Sequence, residues 1–305
     1  MTTPPPNSAF QATKIRHAMT VDVEDYYHVS AFAKVIKPGE WAQWPSTVER
    51  NTRTLLDLFD EFNIKATFFV LGWVAERYSE LIREIAARGH EIASHGYSHQ
   101  LVYRQTPEEF REETARSKQL LEDLVQQPIT GYRAASYSIT KQSLWAIDIL
   151  AELGFKWDSS IFPVFHDRYG IPDSPTQPYR IATSTGSSLL EFPLTTARIG
   201  NYRAPAAGGG YFRLYPYALS RQLFKIATAA NTTPAIFYLH PWEIDPDQPR
   251  VPGASLLSRF RHYNNLARCL PRLRAMLSEF PFGTVSESLQ SVNVENTAPI
   301  RLASA

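Results

Sequence analysis

HAMTVDV (residues 17–23) reads as a buried strand, and STVERNTRTLLDLFDEFN (46–63) follows it with apolar residues at helical spacing behind a capping serine, Ser46. That β/α step repeats along the chain. KATFFVLG (65–72) is a strand, VAERYSELIREIAARG (74–89) a helix closed by Gly89, and HEIASH (90–95) another strand. TPEEFREETARSKQLLEDLV (106–125) opens with a capping threonine, a proline and acidic residues, as helix starts do. TGYRAAS (130–136) and KQSLWAIDILAELG (141–154) supply the next pair. Such alternation predicts a parallel sheet, open or closed into a barrel, in an α/β fold.

Beyond residue 154 the pattern changes. Four prolines punctuate the stretch from Phe155 to about Arg180, which reads as a long ordered loop. SLLEFPLT (188–195) and RIGNYRAP (198–205) read as short strands, AAGGGYF (206–212) as a flexible turn, and YPYALSRQLFKIATAAN (215–231) as a helix. PAIFYLH (234–240) is a strand, and residues 255–280 form a long amphipathic helix broken at Pro271.

The 305 residues suit a single barrel domain, and 44% hydrophobic against 20% charged residues is the makeup of a globular chain. A formal net charge of +1 without a basic run argues against nucleic acid as a partner. The N-terminus has no apolar stretch suited to a signal peptide or a membrane span, so the chain as written is expected in the cytoplasm, with no transmembrane segment. The lone Cys269 reads as a buried structural thiol.

Chemistry in such folds sits at the C-terminal ends of the parallel strands. Four ends carry polar side chains: TVDVED (20–25), ASHGYSH (93–99), YRAASY (132–137) and YLHPWE (238–243). Asp22 and Glu24, two apart, share a face of an extended strand, whereas Asp25 points away or begins the loop. His95 and His99, four apart, converge if the strand runs into a helical turn. Two histidines and a carboxylate make a three-ligand metal site with open positions, suited to hydrolysis by zinc but also to iron(II) oxygenases. His240 reaches the same mouth as a fourth ligand, a general acid or a core histidine. Arg133 is costly to bury alone, so it pairs with Asp22 or Asp158. His17, His28, His90, His166 and His262 have no constellation around them and read as structural or surface residues.

Taken in order, TVDVED, HGYSH, YRAAS, WDSS (157–160) and YLH resemble the five motifs of the polysaccharide deacetylases of carbohydrate esterase family 4, the NodB-homology group, over roughly residues 18–285. Within it the chain looks most like the subgroup tied to exopolysaccharide clusters of exosortase-containing bacteria. The resemblance implies a distorted (β/α)7 barrel in a single domain over 18–290, flanked by a flexible segment over 1–17 and a tail over 291–305. It implies Asp22 as general base, His240 as general acid, Arg133 positioning Asp22, and Asp158 tuning His240. One divalent ion, zinc before Co2+, Ni2+, Mn2+ or Fe2+, would sit on His95, His99 and a carboxylate. The family's adjacent aspartates are interrupted here by Val23, so that carboxylate is Glu24 or Asp25, and strand geometry favours Glu24. Ala135 stands where the family often has proline, leaving a backbone N–H nearby as oxyanion donor, and Trp157 precedes Asp158.

The implied reaction is hydrolytic removal of acetyl groups from N-acetylglucosamine-type units of an oligosaccharide, an exopolysaccharide or its precursor, with Tyr26, Tyr27, Tyr137 and Trp242 as flat surfaces for sugar rings. Two other readings are hydrolysis of a small non-sugar amide or ester, and carbohydrate binding without turnover.

Overall fold

The computed structural model describes residues 15–166, 168–228, 234–292, 294 and 297–303. The described strands are β1 (His17–Val23), β2 (Thr67–Val70), β3 (Glu91–Ser94), β4 (Gly131–Tyr132), β5 (Trp157–Asp158), β6 (Tyr179–Ala182), β7 (Ser188–Glu191), β8 (Thr196–Ile199), β9 (Tyr202–Pro205), β10 (Ile236–Leu239) and β11 (Phe282–Gly283). The described helices are α1 (Val48–Glu61), α2 (Gly72–Arg77), α3 (Ser79–Ala87), α4 (Pro107–Val125), α5 (Trp145–Glu152), α6 (Gly209–Leu214), α7 (Tyr217–Thr228), α8 (Leu256–Tyr263), α9 (Leu266–Glu279) and α10 (Val285–Gln290).

Every residue of β1 is buried, which demands cover on both faces. The sheet around it runs β10-β1-β2-β3-β4-β5-β7 with all neighbours parallel; β6 adds antiparallel to β7, and β11 pairs with the start of β1. The ends of the seven parallel strands meet without a ladder. Past β7, Thr195 Oγ1 accepts from the Ile236 amide at 2.7 Å and donates to the Ile236 carbonyl at 2.8 Å, and the Tyr238 amide donates to Ala207. The α/β fold with a parallel sheet is therefore the one expected, curled into a seven-stranded barrel whose seam is closed by a loop. Gly131 makes one tight layer of that barrel possible: a Cβ there would come within 2.0 Å of the indole of Trp157, its partner on β5.

Local departures have local causes. The helix expected over 74–89 is two, α2 and α3, parted at Tyr78 (φ −123°, ψ 46°). α1 begins after Thr47 rather than Ser46, because both hydroxyls turn to the Asp25 carboxylate. Trp157 and Asp158 form a short strand within the expected loop. In 206–212 the expected turn gives way to α6, whose cap Gly208 has φ 115° and leaves no room for a Cβ against the Tyr238 carbonyl. The long helix breaks at Asn264 and Asn265, not at Pro271, which lies inside α9; Asn265 takes the left-handed conformation (φ 53°) that asparagine tolerates.

The expected N-terminal segment falls mostly outside the described residues, and His17 itself opens β1. In the expected tail, Ile300 exchanges backbone hydrogen bonds with Arg180 and Ala182 on β6. Among the described residues no helix is long and apolar enough to cross a membrane.

Candidate active site and metal centre

Glu24 leaves the end of β1, and His95 and His99 leave the end of β3, so two strands separated only by β2 bring the three side chains together. One ligand atom from each lies within 4.8 Å of the others. His95 Nδ1 donates to the Arg133 carbonyl at 2.8 Å, which fixes its proton there and leaves the Nε2 lone pair free. Burial lowers the His95 pKa to about 4, so the ring is neutral. His99 takes a left-handed backbone (φ 52°) and brings Nε2 to 2.8 Å from Glu24 Oε2. That buried oxygen nevertheless has no hydrogen bond of proper geometry, as befits two ligand atoms aimed at a common cation rather than at each other. Two imidazoles and a carboxylate at this spacing fit a divalent ion with open positions.

Asp25 is used elsewhere. Its carboxylate accepts from the Ser46 hydroxyl at 2.5 Å and from the Thr47 amide and hydroxyl at 2.9 and 3.0 Å, tying the start of α1 to the end of β1.

Arg133 is wholly buried and donates to Asp22 Oδ1 at 2.7 Å, to Thr20 Oγ1, and to the hydroxyl and carbonyl of Ser159, with its guanidinium over the Phe69 ring. Of the two acids open to it on sequence grounds, Asp22 is its ion-pair partner. The second oxygen of Asp22 is thereby left facing the cavity, 3.8 Å from His240 Nε2. Beside Arg133, Ser136 (φ 52°) and Tyr137 (φ 56°) are consecutive left-handed residues at the cavity wall, strain of about 1–3 kcal/mol each. The Tyr137 amide is committed to the Ala134 carbonyl.

His240 closes the other side. Its Nε2 lies 3.4 Å from Glu24 Oε1, and its Nδ1 is held by Glu243 Oε1 at 2.7 Å. Glu243 in turn accepts from buried Arg213 Nε at 2.5 Å, and Arg213 is anchored on the carbonyls of His262 and Asn264. Burial opposes a charge on His240, but Glu24, Glu243 and Asp22 outweigh it and push its pKa up to about 9. Trp242 stacks between His240 and His262, fixing the plane of the ring.

The carboxylate on His240 is thus Glu243, not Asp158 as expected. Asp158 lies on the far side of Arg133, across the β5–β7 pairing from Glu191, where it accepts from Ser160 at 2.5 Å. Each of these two buried acids has one oxygen without a hydrogen bond. Burial raises Asp158 to about 6, and burial plus the neighbouring Asp158 raises Glu191 further above the carboxylate range. Raised carboxyls ionise more easily unfolded than folded, so the stability they carry is complete below about pH 4 and is lost as pH rises through about 6. Glu191→Gln, which keeps the neutral form, is expected to flatten the decline in urea midpoint from about pH 4 upward. An unchanged pH slope would show that the pair does not hold a proton.

A cavity of about 210 Å³ opens over these groups, lined also by Tyr103, Tyr137, Tyr169, Tyr238 and Trp242. Tyr137 and Trp242 stand where expected, at the cavity. Tyr26 and Tyr27 do not line it; they are buried against each other in the core, since the chain after Glu24 turns inward instead of forming a rim. Trp157 packs on Phe69 beneath the site. His262, read as structural or surface on sequence, lines the cavity, while Arg213, Glu243 and Tyr238 join the site from the C-terminal half. Only Glu243 left a signal, the P-x-E after His240 that makes a capping box.

Residues 42–157 match the polysaccharide deacetylase family, and residues 159–290 match a domain of unknown function, DUF3473. A peptidoglycan deacetylase of Helicobacter pylori is 33% identical over 107 residues, 35% of this chain and 36% of that protein. A chitooligosaccharide deacetylase of a Bradyrhizobium strain is 32% identical over 100 residues, 33% of this chain and 43% of that one. The chain thus aligns with less than half the length of these curated relatives. A Mycobacterium smegmatis structure provisionally designated a polysaccharide deacetylase superposes with a TM-score of 0.61 at 23% identity, covering 99% of this chain and 98% of that one. The PuuE allantoinase superposes with a TM-score of 0.58 at 15% identity over 95% and 93% of the two chains. Both share the fold.

Proposed function

We propose that this chain, a polysaccharide deacetylase domain running directly into a DUF3473 region, hydrolyses the N-acetyl group of an amino sugar in a polysaccharide and releases acetate. The observation that carries the reading is the convergence of Glu24, His95 and His99 on one point, with Asp22 and His240 on either side of it. The names of the aligned relatives, a peptidoglycan deacetylase and a chitooligosaccharide deacetylase, supply the substrate class.

In this mechanism Glu24, His95 and His99 hold a divalent ion, zinc by their nitrogen and oxygen donors. Bound there, the ion supplies Lewis acidity, polarising the amide carbonyl and acidifying a water. Asp22 Oδ2 accepts the proton of the attacking water, while Arg133 holds Oδ1 and so orients the carboxylate. His240 Nε2 delivers a proton to the departing nitrogen, because an amide nitrogen cannot leave as an anion. Glu243 holds the Nδ1 proton in place and, with Asp22, favours the charged ring. The tyrosines and Trp242 along the cavity give sugar rings apolar faces. We assign the natural substrate to an exopolysaccharide or its precursor, because the C-terminal stretches YFRLYPY (211–217), YLHPWEID (238–245) and YNN (263–265), all inside the DUF3473 match, resemble those of the subgroup tied to exopolysaccharide clusters.

The deciding experiment is acetate release from N-acetylglucosamine oligomers by metal-stripped protein, with and without added zinc, beside Glu24→Ala. Zinc should restore release to the native chain and not to the variant, whose bound metal should fall about tenfold or more. Equal release with and without metal would overturn the metal site, and no release at any metal loading would overturn the reaction.

A further inference from the structure

The helix α8 carries its apolar residues on the wrong side for a core helix. Leu256 is 82% exposed, and Leu257 and Phe260 are each 57% exposed. The one buried residue of α8 is His262, which faces Trp242 and whose Nε2 donates to Gln248 Oε1 at 2.6 Å. At about 100° per residue, Leu256, Leu257 and Phe260 form one arc and His262 lies opposite it. The apolar arc therefore points straight out from the protein. Arg259 and Arg261 fall on its two borders, both exposed.

The charge around this helix is equally one-sided. From Gln248 to Ser278 there are six arginines, no lysine and no acid, in a chain whose overall net charge is only +1. Two of the six are engaged within the fold: Arg272 donates to three backbone carbonyls and Arg274 pairs with Glu61. Among the described residues, Arg250, Arg259, Arg261 and Arg268 have no carboxylate partner. Arg250 lies over the Tyr263 ring, at the end of the same helix.

From this arrangement we propose that α8 docks on an anionic lipid surface, with Leu256, Leu257 and Phe260 entering the acyl boundary and the arginines on the headgroup phosphates. Apolar fingers bordered on both sides by guanidinium groups suit that surface, since long basic side chains lie along the boundary with their charges in the headgroups. A nucleic acid would take the charge but leave the apolar arc in water. A second copy of this chain would bring an equal positive patch against this one. Arg261 and His262 also line the cavity, so a bilayer held at α8 lies beside its mouth. An amino sugar anchored in that surface would be delivered to the site; that last step rests on the proposed deacetylation, while the docking does not.

The test is co-sedimentation of the full chain with vesicles of equimolar phosphatidylglycerol and phosphatidylcholine, against vesicles of phosphatidylcholine alone. The expected result is binding to the anionic vesicles that is about tenfold weaker or more on the neutral ones, and that falls with added salt. Leu256→Ser with Leu257→Ser and Phe260→Ser should lose that binding by about tenfold or more, and Arg259→Gln with Arg268→Gln should lose its salt dependence. Circular dichroism of both variants checks that they are folded, and release of acetate from soluble oligomers should be unchanged in them. Failure to sediment with anionic vesicles at low salt overturns the proposal. So does binding that survives the serine changes, or light scattering that shows the native chain to be a dimer undone by those changes. Since sedimentation is read without turnover, this outcome is independent of whether the chain proves to be a deacetylase.

Discussion

Asp22→Asn is expected to lower kcat on N-acetylglucosamine oligomers by about 10²–10⁴-fold, the range for removing a general base, with metal content close to native and a thermal midpoint lowered by the loss of Arg133's ion pair. The fold should tolerate it because asparagine keeps an Oδ1 to accept from Arg133, which retains Thr20 and Ser159 as further acceptors. His240→Ala should fall in the same range, since it removes the group facing Asp22 from across the cavity. Metal analysis by plasma emission beside steady-state kinetics reads both quantities. Turnover within a few fold of native in either variant would remove that residue from the proton transfers.

The second large effect is on stability. Arg133→Met should destabilise the protein by about 3–5 kcal/mol, the cost of leaving a buried charge without its partner. Asp22 would lose its ion pair while still close to Glu24, and Asp158 and Glu191 would lose the guanidinium whose charge favours their ionised forms. Adding Asp22→Asn to Arg133→Met should recover part of the loss, because it removes the stranded charge. Urea denaturation of the two single variants and the double variant gives the coupling. A coupling near zero would mean that Arg133 acts by packing against Phe69 and not through its charge.

The parts of the site that were legible in the sequence are those set by short-range geometry. Glu24 lies two residues from Asp22 at a strand end, and His95 and His99 lie four apart across a turn, so spacing groups each pair, while the order β1-β2-β3 brings the two groups together. Arg133 was legible through the cost of burying it, which required an acid at hand. The partner of His240 was misread because Asp158, 82 residues upstream, was assigned the role from a motif, whereas a single turn at Pro241–Ile244 folds Glu243 back onto the ring. Arg213 and His262 carried no local signal: their positions depend on how α6 and α8 pack, which no periodicity encodes. Tyr26 failed for the opposite reason, since an aromatic beside a site is as readily core as rim, and burial decided for the core. The alternation of strands and helices was plain up to residue 154 and faded afterwards, where the antiparallel pairs β6–β7 and β8–β9 follow one another with no helix between their strands.

The join between the two family matches falls at Asp158, inside the sheet. On one side of it stand Asp22, Arg133 and the three converging ligands; on the other stand His240, Glu243 and Arg213. β5, at the join, is bonded to β4 from the first region and to β7 from the second, and one hydrophobic core runs through both. The two matched stretches are, in space, parts of one barrel, which β1, ahead of residue 42, joins between β10 and β2. His240, which faces Asp22 and Glu24 across the cavity, lies in the stretch without an assigned role, so under the proposed reaction the proton donor and the metal-holding carboxylate come from opposite sides of the join.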